Sequence, residues 1–593
     1  MYIYYIYSIT DITASLGEQH MSKKRWNHSV QQLAVGSLLA AAIVQPAHAL
    51  AESTPAEQMS AQEAAAAKEA DAGSSSALTR MVPLRAVAEA LGAGVEWDAE
   101  NRLVTATRGA VKLAVNIGEQ SAKVNESTTI SMTREAAIVN DTTIIPLDTI
   151  RQAFQVSIEW DDANGLTIDP SDVTTAGSHF IYLLQSGQFQ AASRMLSDKL
   201  RAGLPEAKLA KYWTGNTGIL GAPKRLISLK REFTAVQRNA LLGYMTEKST
   251  PLGIAVRFDA NGKIDDIFMP LSPAGNYREP DYDKPELYSE EEVTVGEGEA
   301  PLPGTLTLPK GEGPFPAIVL VHGSGPNDRD ETLGSYKTFR DLAVGLAANN
   351  IAVLRYEKRT RVHTLKSALH PAFTVKEETV DDAIAAVHTL QKDRRIDAKR
   401  IIVLGHSQGG MLVPSIIESD KQKSIAGAII MAGPSQPLED LVLEQNKQAL
   451  AWAKEAGQPT EGLEQQVKAM EHQVALLKDP QYSAANIPKD FALGNPVWWF
   501  DFRNYRGGEI AKRQSTPLLI LQGDNDFQVT ASNLDGWKSA LSARQDVVYK
   551  LYPKLNHGFV ESDQPSTGKE YALPGNVPSY VIDDIAGWLK GKN

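Results

Sequence analysis

Residues 401–410 read IIVLGHSQGG and continue as MLVPSIIES, so an apolar β-branched run ends in Gly405-His406-Ser407-Gln408-Gly409 and then opens into a helical pattern. That places Ser407 at a strand-to-helix corner, the setting of a nucleophile elbow. Glycines two before and two after the serine are needed because a Cβ in so tight a turn would strike the neighbouring strand or helix. A serine alcohol is nearly unreactive at its own pKa, so it needs a base to take its proton and a third group to orient that base. The chain has no cysteine, which removes thiol nucleophiles, thiolate metal sites and disulfides. The histidines at 363, 370, 388 and 472 show no metal-ligand spacing, and neither H-E-x-x-H nor an EF-hand pattern occurs. No metal and no cofactor is expected.

The elements that must position Ser407 alternate from about residue 291 to the end. Apolar strands read AIVLV at 317, IAVLRY at 351, IIVLG at 401, IAGAIIMAG at 425, PLLILQG at 517 and VVYKLYP at 547, with helical patterns near 337–348, at 375–392 and after Ser407. Continuous apolar strands between amphipathic helices specify a mostly parallel sheet covered on both faces. Thr374 and Glu377 form a capping box for the helix at 375. In such sheets the site lies beyond the carboxyl ends of the strands.

This arrangement, with serine, acid and histidine in that chain order, resembles the α/β-hydrolase superfamily over roughly the final 300 residues. The resemblance places the acid after PLLILQG, where Asp526 matches the family spacing best and Asp524 competes. It places the base after the last strand, where LYPKLNHGF supplies His557, the only histidine downstream of Asp526. An oxyanion requires two preorganised donors. The Gln408 backbone amide is the first, and the loop VHGSGPNDRDE supplies the second, Ser324 with Gly325 next. His322 and His406 flank the site at positions the family uses for structure. Asp328, Arg329, Asp330 and Glu331 read as a local ion-pair network, with Arg329 also placed to face an anionic substrate. HGSGPNDRDE and LRYEKR at 354 resemble secreted hydrolases near the dienelactone hydrolase, serine aminopeptidase and prolyl oligopeptidase branches.

About 75 residues, roughly 436–512, separate IAGAIIMAG from PLLILQG, and an insertion there forms a helical lid in the family. Its aromatic segment PVWWFDFRNY offers Trp498, Trp499, Phe500 and Phe502 either as the wall of an acyl or aromatic pocket or as pins holding the lid to the body.

At 593 residues the chain has room for three or four domains at about 150 residues each. Lys23, Lys24 and Arg25 precede an apolar stretch Leu33–Val44 and then Ala47-His48-Ala49, a signal-peptide pattern over 21–51 with cleavage after Ala49 or Ala51. Its 12 apolar residues are short of the roughly 20 that span a bilayer, so no stable membrane insertion is expected after cleavage. Residues 1–20 lack a positive flank and read as an upstream extension, with translation starting at Met21. Residues 52–78 are a low-complexity linker. Over 79–170 a repeat with a constant offset of 63 pairs Pro83 with Pro146, Trp97 with Trp160 and Asp98 with Asp161. It resembles the stalk-type domain named from the amino terminus of copper amine oxidases, without histidine or cysteine to carry copper chemistry. Residues 177–271, helices followed by alternating strands with a turn at Asp259-Ala260-Asn261-Gly262, resemble the cone-shaped module related to nuclear transport factor folds. No convergent polar set is visible in it, which favours a packing or substrate-presenting role. Residues 272–290 are a linker.

The expected fold is therefore α/β, an α/β-hydrolase with a helical lid preceded by two small α+β domains. The net charge of −11 opposes nucleic-acid binding. The resemblance implies a secreted or envelope-associated Gram-positive-type serine hydrolase that cleaves carboxylic esters through an acyl-enzyme. Its rival is a peptidase acting on short peptides, with Glu357 or an acidic lid residue holding the substrate ammonium. From another class comes a non-catalytic envelope protein that binds cell-wall polymer through its stalk.

Overall fold

In the computed structural model the described residues are 80–161, 165–270 and 275–591, and they form two compact units that divide after Pro270. The extension, leader and low-complexity linker expected over residues 1–78 lie outside the described residues, as do 162–164 in the second repeat hairpin and 271–274 at the start of the later linker.

The carboxyl-terminal unit is built on an eight-stranded sheet. In chain order its strands are β1 (Tyr288–Val295), β2 (Leu302–Pro309), β3 (Phe315–Val321), β4 (Ala352–Tyr356), β5 (Ile396–His406), β6 (Ile425–Met431), β7 (Leu518–Gly523) and β8 (Val547–Tyr552). Their spatial order is β1-β2-β4-β3-β5-β6-β7-β8. β2 runs antiparallel to β1 and β4, and every later pairing is parallel. The central strands are apolar at successive positions because alternate residues serve opposite faces. Ile318, Leu320, Ile402, Leu404, Ile429 and Met431 pack with Phe339, Leu342 and Leu346 of the helix Thr338–Ala348 and with Ile582 and Ile585 of the helix Ser579–Lys590. Ala428, Ile430, Leu518 and Ile520 pack on the other side with Val413, Leu534 and Trp537. Each such leucine or isoleucine contributes about 1.5–3 kcal/mol by leaving water, which makes the sheet a rigid platform for whatever its carboxyl ends carry.

One departure from the expected elements bears on the site. Thr374 N–H and Oγ–H both donate to Glu377 Oε2, at 2.9 and 2.7 Å, and Thr374 Oγ accepts the Lys376 amide at 3.2 Å, so the carboxylate half of the capping box forms. The turn it opens, however, is a π-turn over Lys376–Val380 before the α-helix Asp381–Gln391. In this widened turn Glu378 is buried and held by Lys358 Nζ at 2.9 Å and by the Trp498 indole N–H at 2.7 Å. The insertion between β6 and β7 carries helices Leu438–Glu455, Glu461–Lys478, Pro496–Phe502 and Gly507–Ala511. Its apolar residues Leu441, Val474, Trp499 and Phe502 pack on Met411 and Leu412, just beyond Ser407.

In the amino-terminal unit the repeat folds back on itself. Met81–Pro83 pairs antiparallel with the end of Thr142–Pro146, Met81 opposite Pro146 and Pro83 opposite Ile144. Each proline leads directly into a helix, Leu84–Ala90 or Leu147–Phe154, because its fixed φ suits a helix start. The two copies are not equivalent at their tryptophans: Trp160 is buried, whereas Trp97 is 43% exposed. Helices from Val173 to Leu220 then precede a four-stranded antiparallel meander, Pro223–Phe233, Arg238–Thr246, Pro251–Phe258 and Ile264–Phe268. Asp259 closes the last turn by accepting from the Asn261 and Lys263 amides at 2.8 and 2.9 Å. The expectation that this module lacks a convergent polar set is corrected. Strand register places Asn239 opposite Arg257 and Arg257 opposite Asp266, all three buried. Cross-strand neighbours are set by pairing, which sequence alternation alone does not give.

Candidate active site

Ser407 stands between β5 and the helix Gln408–Ser419 with φ 54° and ψ −119°, a strained corner. The flanking glycines are steric necessities. A Cβ on Gly405 would lie 2.3 Å from the Gly409 carbonyl oxygen, and one on Gly409 would lie 2.4 Å from that of Val321.

His557 Nε2 is 3.1 Å from Ser407 Oγ, and His557 Nδ1 is 2.7 Å from Asp526 Oδ2. Asp526 is itself held: Oδ1 accepts the Gln528 and Val529 amides at 2.8 and 2.9 Å. The competing Asp524 is exposed and accepts the Lys554 amide at 2.6 Å, tying one loop to another. Burial holds the His557 pKa below its usual 6.5, against the pull of Asp526 and with the help of neighbouring His406. The imidazole is therefore neutral at neutral pH, as a proton acceptor must be.

Gln408 opens its helix, so its amide has no intrahelical acceptor and lies at the positive end of the helix dipole. Ser324 follows β3 and lines the same small cavity as Ser407, His557 and Gln528. Gly325, with φ +91°, lines a second cavity. That cavity is walled by Pro326, Phe373, Asn495, Trp498 and Trp499, with Thr360, Thr364, Ser367 and Glu378 as its polar groups. Phe500 is not among its walls, which corrects the expected pocket set. It lies in the lid interior, 5.1 Å from the Phe491 ring, because successive side chains of a helix point to different faces.

The loop after β3 also departs from the expected ion-pair network. Arg329 pairs with Glu292 and with Glu357, the latter at 3.0 Å, so it does not face an anionic substrate. Glu357 is further held by Arg361 at 3.0 Å, which occupies the carboxylate expected to anchor a substrate ammonium. Asp330 binds Arg355 and Lys337. Glu331 leaves the network altogether: Oε1 accepts the Gly323 amide at 2.6 Å, and Oε2 lies 2.9 Å from His406 Nδ1. His406 Nε2 in turn meets the His557 carbonyl oxygen at 2.9 Å. Burial opposes charge on His406, but Glu331 together with the His557 carbonyl and Asp526 outweighs it and holds that pKa above 6.5. Burial likewise opposes the Glu331 carboxylate, and His406, His322 and the Gly323 amide together outweigh it, keeping the pKa below 4.5. His322 has no such partner at close range and burial drives it down to about 4.

Sequence reasoning thus missed Glu331 and His406 as a pair, and missed Lys358 and Glu378 entirely. A lysine and an acid just past the carboxyl ends of apolar strands are a usable signal, since that edge carries the site in open α/β sheets. Among the described residues no group of three or more His, Asp or Glu side chains converges as a metal site would.

The strand order, elbow and lid define an α/β-hydrolase. Residues 313–564 match the family described as serine aminopeptidase, S33, and residues 76–168 match the copper amine oxidase N-terminal domain. Esterase EstD of Thermotoga maritima is 35% identical over 419 residues, which covers 69% of this chain and 93% of that protein. Among solved structures, a Pyrococcus furiosus esterase is 16% identical with a TM-score of 0.34, over 54% of this chain and 98% of its own. Est1E from Butyrivibrio proteoclasticus is 15% identical with a TM-score of 0.33, over 51% and 98% respectively. The chain belongs to the esterase family of α/β-hydrolases that includes EstD, and it is a hydrolase of the esterase kind.

Proposed function

We propose that the protein is an exported serine esterase. Ser407 attacks the ester carbonyl, His557 takes the serine proton and passes it to the departing alkoxide, and Asp526 fixes the tautomer and stabilises the imidazolium. The amides of Gln408 and Ser324 receive the oxyanion, and water drawn through His557 releases the acid from the acyl-enzyme. The cavity under Trp498 and Trp499 takes an apolar part of the substrate. The observation that carries this reading is the unbroken run of contacts from Ser407 Oγ through both ring nitrogens of His557 to Asp526.

Esterolysis is favoured over peptidase action because Glu357, the carboxylate best placed in sequence to hold an amino terminus, is already engaged by Arg329 and Arg361. Export rests on the basic, apolar and small-residue pattern of residues 23–49. The stalk-like repeat is given a wall-associated role, and the helix-and-meander module, read as related to nuclear transport factor folds, a packing or substrate-presenting one.

A set of aryl esters of increasing acyl length, assayed beside aminoacyl and prolyl amides, tests the reading. Ester turnover that disappears in folded Ser407→Ala supports it. Full activity in that variant, or turnover of the amides alone, overturns it.

A further inference from the structure

The Gly323–Ser324 peptide sits beside the nucleophile, and a Cβ on Gly323 would crowd the Ser407 Cβ at 3.0 Å. Glycine is also the residue with the most backbone freedom. A peptide whose amide must point at a developing oxyanion therefore begins at the chain's least constrained kind of residue. Something else must hold it.

The Gly323 carbonyl accepts from Lys358 Nζ at 2.7 Å and from Asn327 Nδ2 at 3.1 Å, while its amide donates to Glu331 at 2.6 Å. In a trans peptide the carbonyl and the following N–H point in opposite directions. Anchoring the Gly323 oxygen on Lys358 therefore turns the Ser324 N–H the other way, toward the cavity that holds Ser407 and His557. Lys358 is 2% exposed, and its ammonium also lies 3.4 Å from the Gln408 side-chain oxygen and 2.9 Å from Glu378. Glu378 receives the Trp498 indole N–H from the lid. One buried cation thus touches the carbonyl of the peptide whose amide belongs to Ser324, the side chain of Gln408, and the Glu378 carboxylate in the wall of the neighbouring cavity.

We infer that Lys358 is the positioning residue of the oxyanion hole. It clamps the Gly323 carbonyl so that the Ser324 amide stays aimed at the substrate oxygen, and through Glu378 it links that aim to the seating of Trp498. This inference rests on the proposed role of Ser407. Lys358 exchanges no proton with substrate; its work is done before the reaction starts, by removing the alternative in which the peptide flips and presents a carbonyl to the oxyanion.

The test uses the full chain carrying Lys358→Met, which keeps the length of the side chain and removes its donors. Losing one oxyanion donor costs on the order of 10² in rate, so kcat on an aryl ester falls about that far while KM is unchanged. Affinity for an alkylboronic acid, which forms a tetrahedral adduct on the serine, falls in parallel. A merely structural lysine would not move that affinity in step with kcat. Asn327→Ala, which removes a donor shared by the Gly323 and Ser324 carbonyls, shows the same pattern with a smaller loss and serves if Lys358→Met does not fold. A folded variant that retains wild-type kcat, or that loses kcat with undiminished boronate affinity, overturns the inference. Ser407→Ala run alongside separates the two levels: activity in that control sinks the serine mechanism, whereas an inactive control beside an unimpaired Lys358→Met sinks only the clamp.

Discussion

The rings of His406 and His557 lie 4.7 Å apart, and His406 Nε2 meets the backbone oxygen of His557. A residue adjacent to the serine in sequence is thus packed, with its ring tilted, against the base that is to activate it. Because Glu331 raises the His406 pKa above its usual value, this neighbour carries positive charge to higher pH than a free imidazole and adds to burial in lowering the pKa of His557.

From this contact a pH dependence follows. Activity requires neutral His557, whose pKa is depressed below 6.5, so kcat/KM falls on the acid side with a midpoint below that value. His406→Gln removes one of the influences that lower it. The acid limb should move to higher pH, as read from kcat/KM profiles of a folded variant. No movement, or movement toward acid, would contradict the coupling.

The Glu331 and His406 pair should also show in stability. His406 has a raised folded pKa, so its contribution is full below the ordinary 6.5 and fades as pH rises through the folded value. Glu331 has a depressed one, so its contribution is full above the ordinary 4.5 and fades as pH falls through the folded value. The pair therefore stabilises most between those limits. Breaking it with Glu331→Ala should cost about 3–5 kcal/mol in that window, and the gap from wild type should narrow in alkaline denaturant titrations. A gap independent of pH would remove the ion pair as its cause.

The two aspartates after β7 should separate cleanly. Asp526→Asn loses the acceptor of His557 Nδ1 and should drop kcat by roughly 10³- to 10⁴-fold. Asp524→Asn keeps an oxygen for the Lys554 amide and should leave kcat essentially intact. Comparable losses in both would mean that the loop, rather than the contact to His557, is what matters.

Two neighbouring lid aromatics should have opposite effects. Trp498→Ala opens the cavity wall and takes the indole donor from Glu378, which Lys358 still holds, so the preferred acyl length should lengthen in a panel of esters. Phe500→Ala empties part of the lid interior and should cost about 3–5 kcal/mol in stability with acyl preference unchanged. A specificity change in Phe500→Ala would return that residue to the pocket.

The order of the parallel strands β3 to β8 was legible because it depends on hydrophobic period, and a sheet covered on both faces writes continuous apolar runs into the chain, whereas the antiparallel strands β1 and β2, the first charged along YSEEEVTV, went unread. The π-turn at Lys376–Val380 was not legible, since the capping pair Thr374 and Glu377 reads the same before either kind of turn.

By itself the sequence determined the corner at Ser407, because a strand end, two glycines and a helix start are local constraints that any context must obey. It also determined the chain order in which an acid and a histidine follow. Only tertiary structure decided that Glu331 leaves its charged neighbours for His406, that Lys358 takes the Gly323 carbonyl, and that Phe500 turns inward while Trp498 faces the cavity. Those outcomes depend on which side chains meet across the sheet's carboxyl edge, where a displacement of a few ångströms exchanges one partner for another, and no periodicity along the chain records that distance.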